Sequence, residues 1–376
     1  MAKRRGRGEG SITRRADGRW MARVDLGWQE GKRRRKTLYG RTKREVQDRL
    51  RETLHRTEKG LPPVPEQETV GAFLRRWLAT IRGKVRPRTH RSYEQVVRIH
   101  LEPGIGRVRL AKLTPLDVSA WFESRHAAGV GGRTIHYARA VLRAALNQAL
   151  KWELVSRNVA SLTDPPRYRT REIAPLTPEQ TRKFLAAVAG HRLEALFTVA
   201  VGLGLRLGEA LGLPWDAVNL DAGTLSVRQT LERAGKQPRF GEPKSARGRR
   251  TITLPGIVTA ALRKHRTRQL QERLIAGERW NDSGLVFTTE AGAPLDGCNI
   301  NRTFKAILRR AELPAIRYHD LRHTAATLLL TQGVDPRTIM ETLGHSQISL
   351  TLNTYAHVVP ALQRKAAAKM DEILDG

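Results

Sequence analysis

Residues 319–355 read HDLRHTAATLLLTQGVDPRTIMETLGHSQISLTLNTY. A helix is expected from Asp320, as its cap, to about Gln332, with Leu321, Ala325, Leu328 and Leu329 on the buried face. On that wheel His319 and Arg322 fall outside the apolar stripe, three apart and therefore adjacent. A second helix follows; Gly344 ends it, His345 comes next, and Tyr355 stands ten residues on. Two histidines, an arginine and a tyrosine are a full set of parts for phosphoryl transfer without a metal. A phenol can attack phosphorus, a guanidinium matches phosphate oxygens as a fork, and imidazole donates hydrogen bonds or moves protons. A lone His or Tyr here would ordinarily be a packed core residue with a satisfied polar tip.

Upstream, Thr177-Pro178-Glu179-Gln180 is a capping box with Pro at the first helical position, and it opens an α-rich region. The apolar helix Leu193 to Leu203 runs into Gly204-Leu205-Arg206-Leu207-Gly208-Glu209. An arginine directly after a buried helix is costly unless its charge is matched. By itself it reads equally as an Arg206–Glu209 surface pair. Leu225 and Val227 alternate on one strand, and Ile252 and Leu254 on another, with a basic hairpin between them that carries Lys244. That lysine is either a solvated hairpin residue or one that reaches a minor groove or protonates a leaving oxygen.

The rest of the chain divides at two proline-rich connectors, Leu61 to Pro65 and Asp164 to Pro175. Before the first, Ser11-Ile12, Trp20 to Leu26 and Lys36 to Tyr39 read as short strands, with turn chemistry at Asp17-Gly18 and Glu30-Gly31. A polar helix from Thr42 to about Lys59 completes a small sheet-plus-helix unit, a kind that can enter a major groove. Its basic run Lys32 to Lys36 is a DNA contact or a solvated hairpin tip. Between the connectors the chain is helical throughout. Phe73, Trp77, Leu78 and Ile81 recur at helical spacing, Thr114-Pro115 starts a helix, and Ile135, Ala138, Val141, Leu142, Ala145, Leu146 and Ala149 form one stripe. Arg86, Arg88, His90 and Arg91, near Tyr93, fit phosphate contacts or a solvated helix end.

The 376 residues carry a net charge of +32, from 68 Lys and Arg against 36 Asp and Glu, which points to a polyanionic partner. The first sixty residues alone hold 20 Lys and Arg against 8 Asp and Glu. The longest uncharged apolar stretch, about Ala195 to Leu205, is far short of the ~20 residues that span a bilayer. One cysteine, Cys298, excludes an internal disulfide, and no Cys/His cluster has zinc spacing. These features fit a cytoplasmic, nucleoid-associated protein with no membrane partner.

The motifs GLGLRLGEALGLPW around Arg206, PKSARGRR around Lys244, HDLRH at His319, LGHS at His345 and TLNTYAH at Tyr355 resemble, in order, those of the tyrosine recombinases of the phage-integrase family. One departure is Gly248, where members often carry Ser. The resemblance implies a multidomain, mainly α protein. Residues 1–60 would form an arm-type DNA-binding domain of small β-sheet plus helix, 68–165 a helical core-binding domain, and 174–376 an α-rich catalytic domain with a small β-sheet insertion. It implies Tyr355 as the nucleophile that forms a 3′-phosphotyrosine. Arg206 and Arg322 would clamp the phosphate, with His345 as a further hydrogen bond. His319 would accept a proton or bind phosphate, and Lys244 would be the general acid. Neither cofactor nor metal is implied. Partners would be double-stranded DNA at core and arm sites, a homotetramer on that DNA, and an excisionase or host DNA-bending factor. The terminal stripe Leu362, Ala366, Met370 and Ile373 would pack on its own domain or on a neighbouring protomer. The competing readings are a type IB topoisomerase-like relaxing enzyme and a non-catalytic DNA-binding regulator.

Overall fold

The computed structural model describes residues 11–29, 32–58, 67–168, 175–234, 237–243 and 248–344, together with 367, 369–371, 373 and 374. The chain divides into two compact units, 1–169 and 170–376.

In the first unit, β1 (Ser11–Arg14), β2 (Trp20–Gln29) and β3 (Lys32–Gly40) form an antiparallel sheet in chain order. Alternation sends Ala22, Val24 and Leu38 to one face, where they meet Val46 and Leu50 of α1 (Lys43–Glu58). The turn after β1 needs positive φ, which Gly18 supplies at +80°. The strands are longer than the sequence suggests. Residues 32, 33, 35 and 36 pair with β2, Lys36 opposite Val24 and Arg35 opposite Asp25, so this basic run is strand rather than hairpin tip. Helices follow: α2 (Val70–Ile81), α3 (Pro87–Val96), a π-turn and α4 (Glu102–Ile105), α5 (Pro115–Ala127) and α6 (Gly132–Lys151). Thr114 caps α5 through a reciprocal box with Asp117. All seven apolar stripe residues of α6 are buried, against Phe73, Leu74 and Trp77 of α2. Arg86, Arg88 and Arg91 are exposed. His90 is not turned outward with them: its Nε2 lies 2.9 Å from the Leu78 carbonyl, tying α3 to α2.

The second unit starts with α7 (Pro178–Val188), whose box is closed by Thr177 and Gln180. α8 (Glu194–Leu203) is apolar on every side and accordingly central. Phe197 of α8 meets Phe184 of α7 and Phe304 of α11 (Gly297–Arg310), each with ring centroids 5.8 Å apart, and Phe184 and Phe304 meet at 5.7 Å. Each such fully buried ring contributes about 1.5–3 kcal/mol of burial free energy. After α9 (Leu207–Leu211), β4 (Val218–Asn219), β5 (Thr224–Val227) and β8 (Arg250–Thr253) form one sheet. The expected basic hairpin between β5 and β8 is instead a further paired element, β6 (Thr230–Ala234) with β7 (Gln237–Gly241); Lys244 follows it, in the connection to β8. Gly208 and Gly212 admit β6: a Cβ on Gly212 would lie 2.6 Å from the Leu231 nitrogen. α10 (Gly256–Ala276), α12 (Tyr318–Thr331) and α13 (Pro336–Leu343) complete the unit.

Candidate active site

α8 ends at Gly204, in the left-handed region at φ +62°. A Cβ there would sit 2.3 Å from Leu343 Cδ2 and 3.4 Å from Arg322 Cγ, so the turn, α13 and Arg322 meet at a point only glycine can fill. Two residues on, Arg206 opens α9. Its backbone N–H donates to Glu209 Oε2 at 3.1 Å, and its Nη1 donates to Oε1 at 2.5 Å. This is no surface pair, since Glu209 is 2 % exposed. The other Arg206 amine, Nη2, donates to the Gly344 carbonyl at 3.2 Å. Arg206 is therefore fixed beside the residue that precedes His345.

The cap of α12 lies three residues before the expected one. Arg317 occupies the cap, and Asp320 stands in the first turn, accepting the Arg317 backbone N–H at 2.8 Å and its Nη2 at 2.7 Å. Thr324 Oγ1 accepts from the Leu176 N–H at 3.0 Å, anchoring α12 to the start of the unit. The expectation that Arg322 lies outside the buried stripe is corrected: it is 2 % exposed, whereas Leu328 and Leu329 are only partly buried. The reason is that α12 is covered on more than one side, by the α8 turn and by α13. Arg322 Nη1 donates to the Gly204 carbonyl at 2.9 Å.

His319, one turn before His323, is exposed at the surface, with the two rings 5.3 Å apart. Partial desolvation, then the charges of His323, Arg322 and Arg206, push its pKa down to about 4, against the lesser pull of Asp320. At neutral pH it is an uncharged imidazole, able to accept a proton. The Tyr318 phenol beside it is buried and, by that burial and the charge of Glu209, held in its protonated form. It is thus no candidate nucleophile.

Arg206, His319 and Arg322 are thereby brought together from α9 and α12. Lys244, His345 and Tyr355 lie outside the described residues, as do Leu362 and Ala366 of the terminal stripe; Met370 and Ile373 of that stripe are exposed. Lys244 nevertheless follows directly on Pro243, against which Gly248 closely packs. Sequence reading passed over Arg250, whose side chain is 7 % exposed and contacts Glu209. The signal was present: Arg250 shares strand parity with the buried Ile252 and Leu254. Among the described residues no His, Cys, Asp and Glu cluster could hold a metal ion, and no helix is long and apolar enough to cross a membrane. The arrangement offers two guanidiniums and a neutral imidazole to one anionic group.

Residues 175–361 match the model of the phage integrase family, and residues 69–124 that of the phage integrase N-terminal SAM-like domain. A tyrosine recombinase XerC-like protein of Caldanaerobacter subterraneus subsp. tengcongensis is 32 % identical over 371 residues, covering 93 % of this chain and 95 % of its own. An integrase of Streptomyces ambofaciens is 32 % identical over 390 residues, covering 99 % and 98 %. The fold resembles that of the Tn1549 transposon integrase in complex with a circular intermediate DNA, at TM-score 0.71 and 23 % identity over 81 % of this chain and 99 % of that one. It also resembles a lambda integrase tetramer bound to a Holliday junction, at TM-score 0.59 and 18 % identity over 90 % and 96 %. Matched by family models over most of its length and by relatives from end to end, this chain belongs to the phage integrase family of tyrosine recombinases.

Proposed function

We propose that the chain is a site-specific DNA recombinase that integrates or excises a mobile element through a 3′-phosphotyrosine intermediate. The observation that carries this reading is the bond from Arg206 to the Gly344 carbonyl. It links the guanidinium of α9 to the start of the segment bearing His345 and Tyr355, beside buried Arg322 and neutral His319. In the proposed reaction the Tyr355 oxygen bonds to phosphorus and the bond from phosphorus to the 5′-oxygen breaks. The phenolic proton passes to His319, and Lys244 protonates the departing 5′-oxygen. Arg206, Arg322 and His345 hold the non-bridging oxygens, where charge builds in the transition state. Attack by a partner strand's 5′-hydroxyl reverses the step, and the phosphotyrosine conserves the bond energy throughout.

The division of labour is likewise proposed: arm binding by 1–60, core binding by 68–165 and catalysis by 174–376. Supporting it, the sheet face opposite α1 presents exposed Arg23, Arg35 and Tyr39, and α3 presents Arg88 and Arg91. Double-stranded DNA is the substrate and a homotetramer the working assembly, with an excisionase or host bending factor setting direction in the cytoplasmic nucleoid. The test uses a duplex nicked near the cleavage point, so that the released strand diffuses away. A protein–DNA band with a free 5′-hydroxyl, and strand exchange between two duplexes, are expected. Relaxation of supercoiled DNA without exchange would indicate a topoisomerase-like enzyme, and binding without any covalent band a regulator.

A further inference from the structure

Arg250 is a nearly buried charge whose hydrogen-bond partners among the described residues belong to the site's supporting elements. Its Nη2 donates to Glu209 Oε2 at 3.1 Å, its Nε to the Thr342 carbonyl at 2.7 Å, and its Nη1 to the Gly248 carbonyl at 3.2 Å. Gly248 closes the connection that carries Lys244, and Thr342 lies in the last turn of α13. Glu209, the shared anion, has a side chain 1 % exposed and meets the Arg206 guanidinium on one oxygen and the Arg250 guanidinium on the other; the Arg206 side chain is 39 % exposed. Burial alone would raise the Glu209 pKa, but Arg250 first and Arg206 second outweigh it and keep the carboxylate ionised.

The charges then matter. A buried carboxylate paired with Arg206 alone would cancel its charge and leave a neutral pair to meet a phosphate. With a second guanidinium behind the carboxylate, the three groups together carry one positive charge. The exposed member, Arg206, is the one able to present it. We propose that Arg250 is a positioning residue that supplies Glu209 with its second counter-charge, so that Arg206 keeps a net positive charge for the scissile phosphate. This rests on the recombinase reading above, in which Arg206 meets that phosphate. Arg250 itself touches no substrate; it acts through Glu209 and Arg206.

A purely structural arginine would slow all substrates alike, whereas a charge-supplying one discriminates by substrate charge. The experiment compares single-turnover cleavage of two nicked duplexes, one with the native phosphodiester and one with an uncharged methylphosphonate at the scissile position. For Arg250→Met, cleavage of the phosphodiester should fall about 100-fold, the scale of losing an oxyanion-stabilising contact, and that of the methylphosphonate by far less. Arg250→Lys, which keeps the charge, should hold the ratio of the two rates at the wild-type value. Glu209→Gln, which leaves two uncancelled guanidiniums, should raise the ratio. Equal losses on both duplexes in Arg250→Met would overturn the proposal. Should that variant fail to fold in a thermal melt, the other two decide: a ratio that does not rise in Glu209→Gln, or that falls in Arg250→Lys, overturns it. A wild-type protein that forms no adduct on either duplex would refute the recombinase reading itself, whereas wild-type adduct with a flat ratio across the variants refutes only the role of Arg250.

Discussion

Arg322→Lys keeps a cation at one of the largest fully buried side chains of the protein, but removes the planar fork. Two separable costs follow. The first is structural: the Gly204 carbonyl loses its 2.9 Å bond from Nη1, and an unsatisfied buried acceptor costs about 1–3 kcal/mol. In a unit of this size that lowers the melting temperature by roughly 2–12 °C, at about 2–4 °C per kcal/mol. A protein of ordinary stability, about 5–15 kcal/mol, stays folded after such a loss. The second is catalytic: one positioned donor to a developing oxyanion is worth about 100–1000-fold in rate. The two are read apart by a thermal melt, a gel shift on core DNA and single-turnover cleavage of a nicked duplex. Binding should persist, the melt should shift moderately, and cleavage should drop about 100-fold or more. A variant whose melting point falls while its cleavage rate stays close to wild type would refute the reasoning and make Arg322 a structural residue.

Gly204→Ala must place a Cβ 2.3 Å from Leu343 Cδ2 at a φ of +62°, so α13 has to move. A loss of about 1–3 kcal/mol in unfolding free energy is expected, with slower cleavage; an unchanged melt would show that the turn relaxes freely. His319 has a folded pKa of about 4 against an ordinary 6.5. As pH falls through that window the unfolded chain takes a proton that the folded chain refuses, so stability drops. His319→Gln should flatten that decline in melts from pH 6.5 toward 4, leaving the part due to the other groups whose pKa values are lowered, among them His100, His191, His265 and His323 and the carboxylates of Glu209 and Asp320. An unchanged slope would mean that His319 titrates normally. Deleting residues 1–60 should spare cleavage of a core site and weaken recombination that needs distal arm sites; full recombination of such sites by the truncated chain would remove the arm-binding role.

Local chemistry made much of the fold legible. Thr177 with Gln180 marked a helix start because reciprocal capping needs only four consecutive residues, and Thr114-Pro115 marked another because Pro suits the first helical position. The α6 stripe was legible because one face of a helix repeats every 3.6 residues. What failed was what tertiary packing decides. A helical wheel turns Arg322 outward by its charge, yet α12 is covered on two sides and the guanidinium is satisfied by a carbonyl 118 residues earlier in the chain. β6 and β7 mix charged and apolar residues without clean alternation, so their pairing left no periodic mark. Arg250 was hidden in a basic run whose bulk effect, attraction to DNA, masked its strand parity with Ile252. Of the site itself, residue types and order were readable because phosphoryl transfer demands them. The role of Glu209 as a buried shared anion was not, since it depends on two arginines 44 residues apart in sequence.

The most direct test is to trap the covalent complex on a nicked duplex, digest the protein and locate the DNA-linked residue by mass spectrometry. The expected result is a single peptide in which Tyr355 carries the 3′-phosphate of the cleaved strand, absent from the Tyr355→Phe protein although that variant still binds DNA. Attachment to any other residue, linkage through the 5′ end, or an adduct that survives Tyr355→Phe would contradict the assignment.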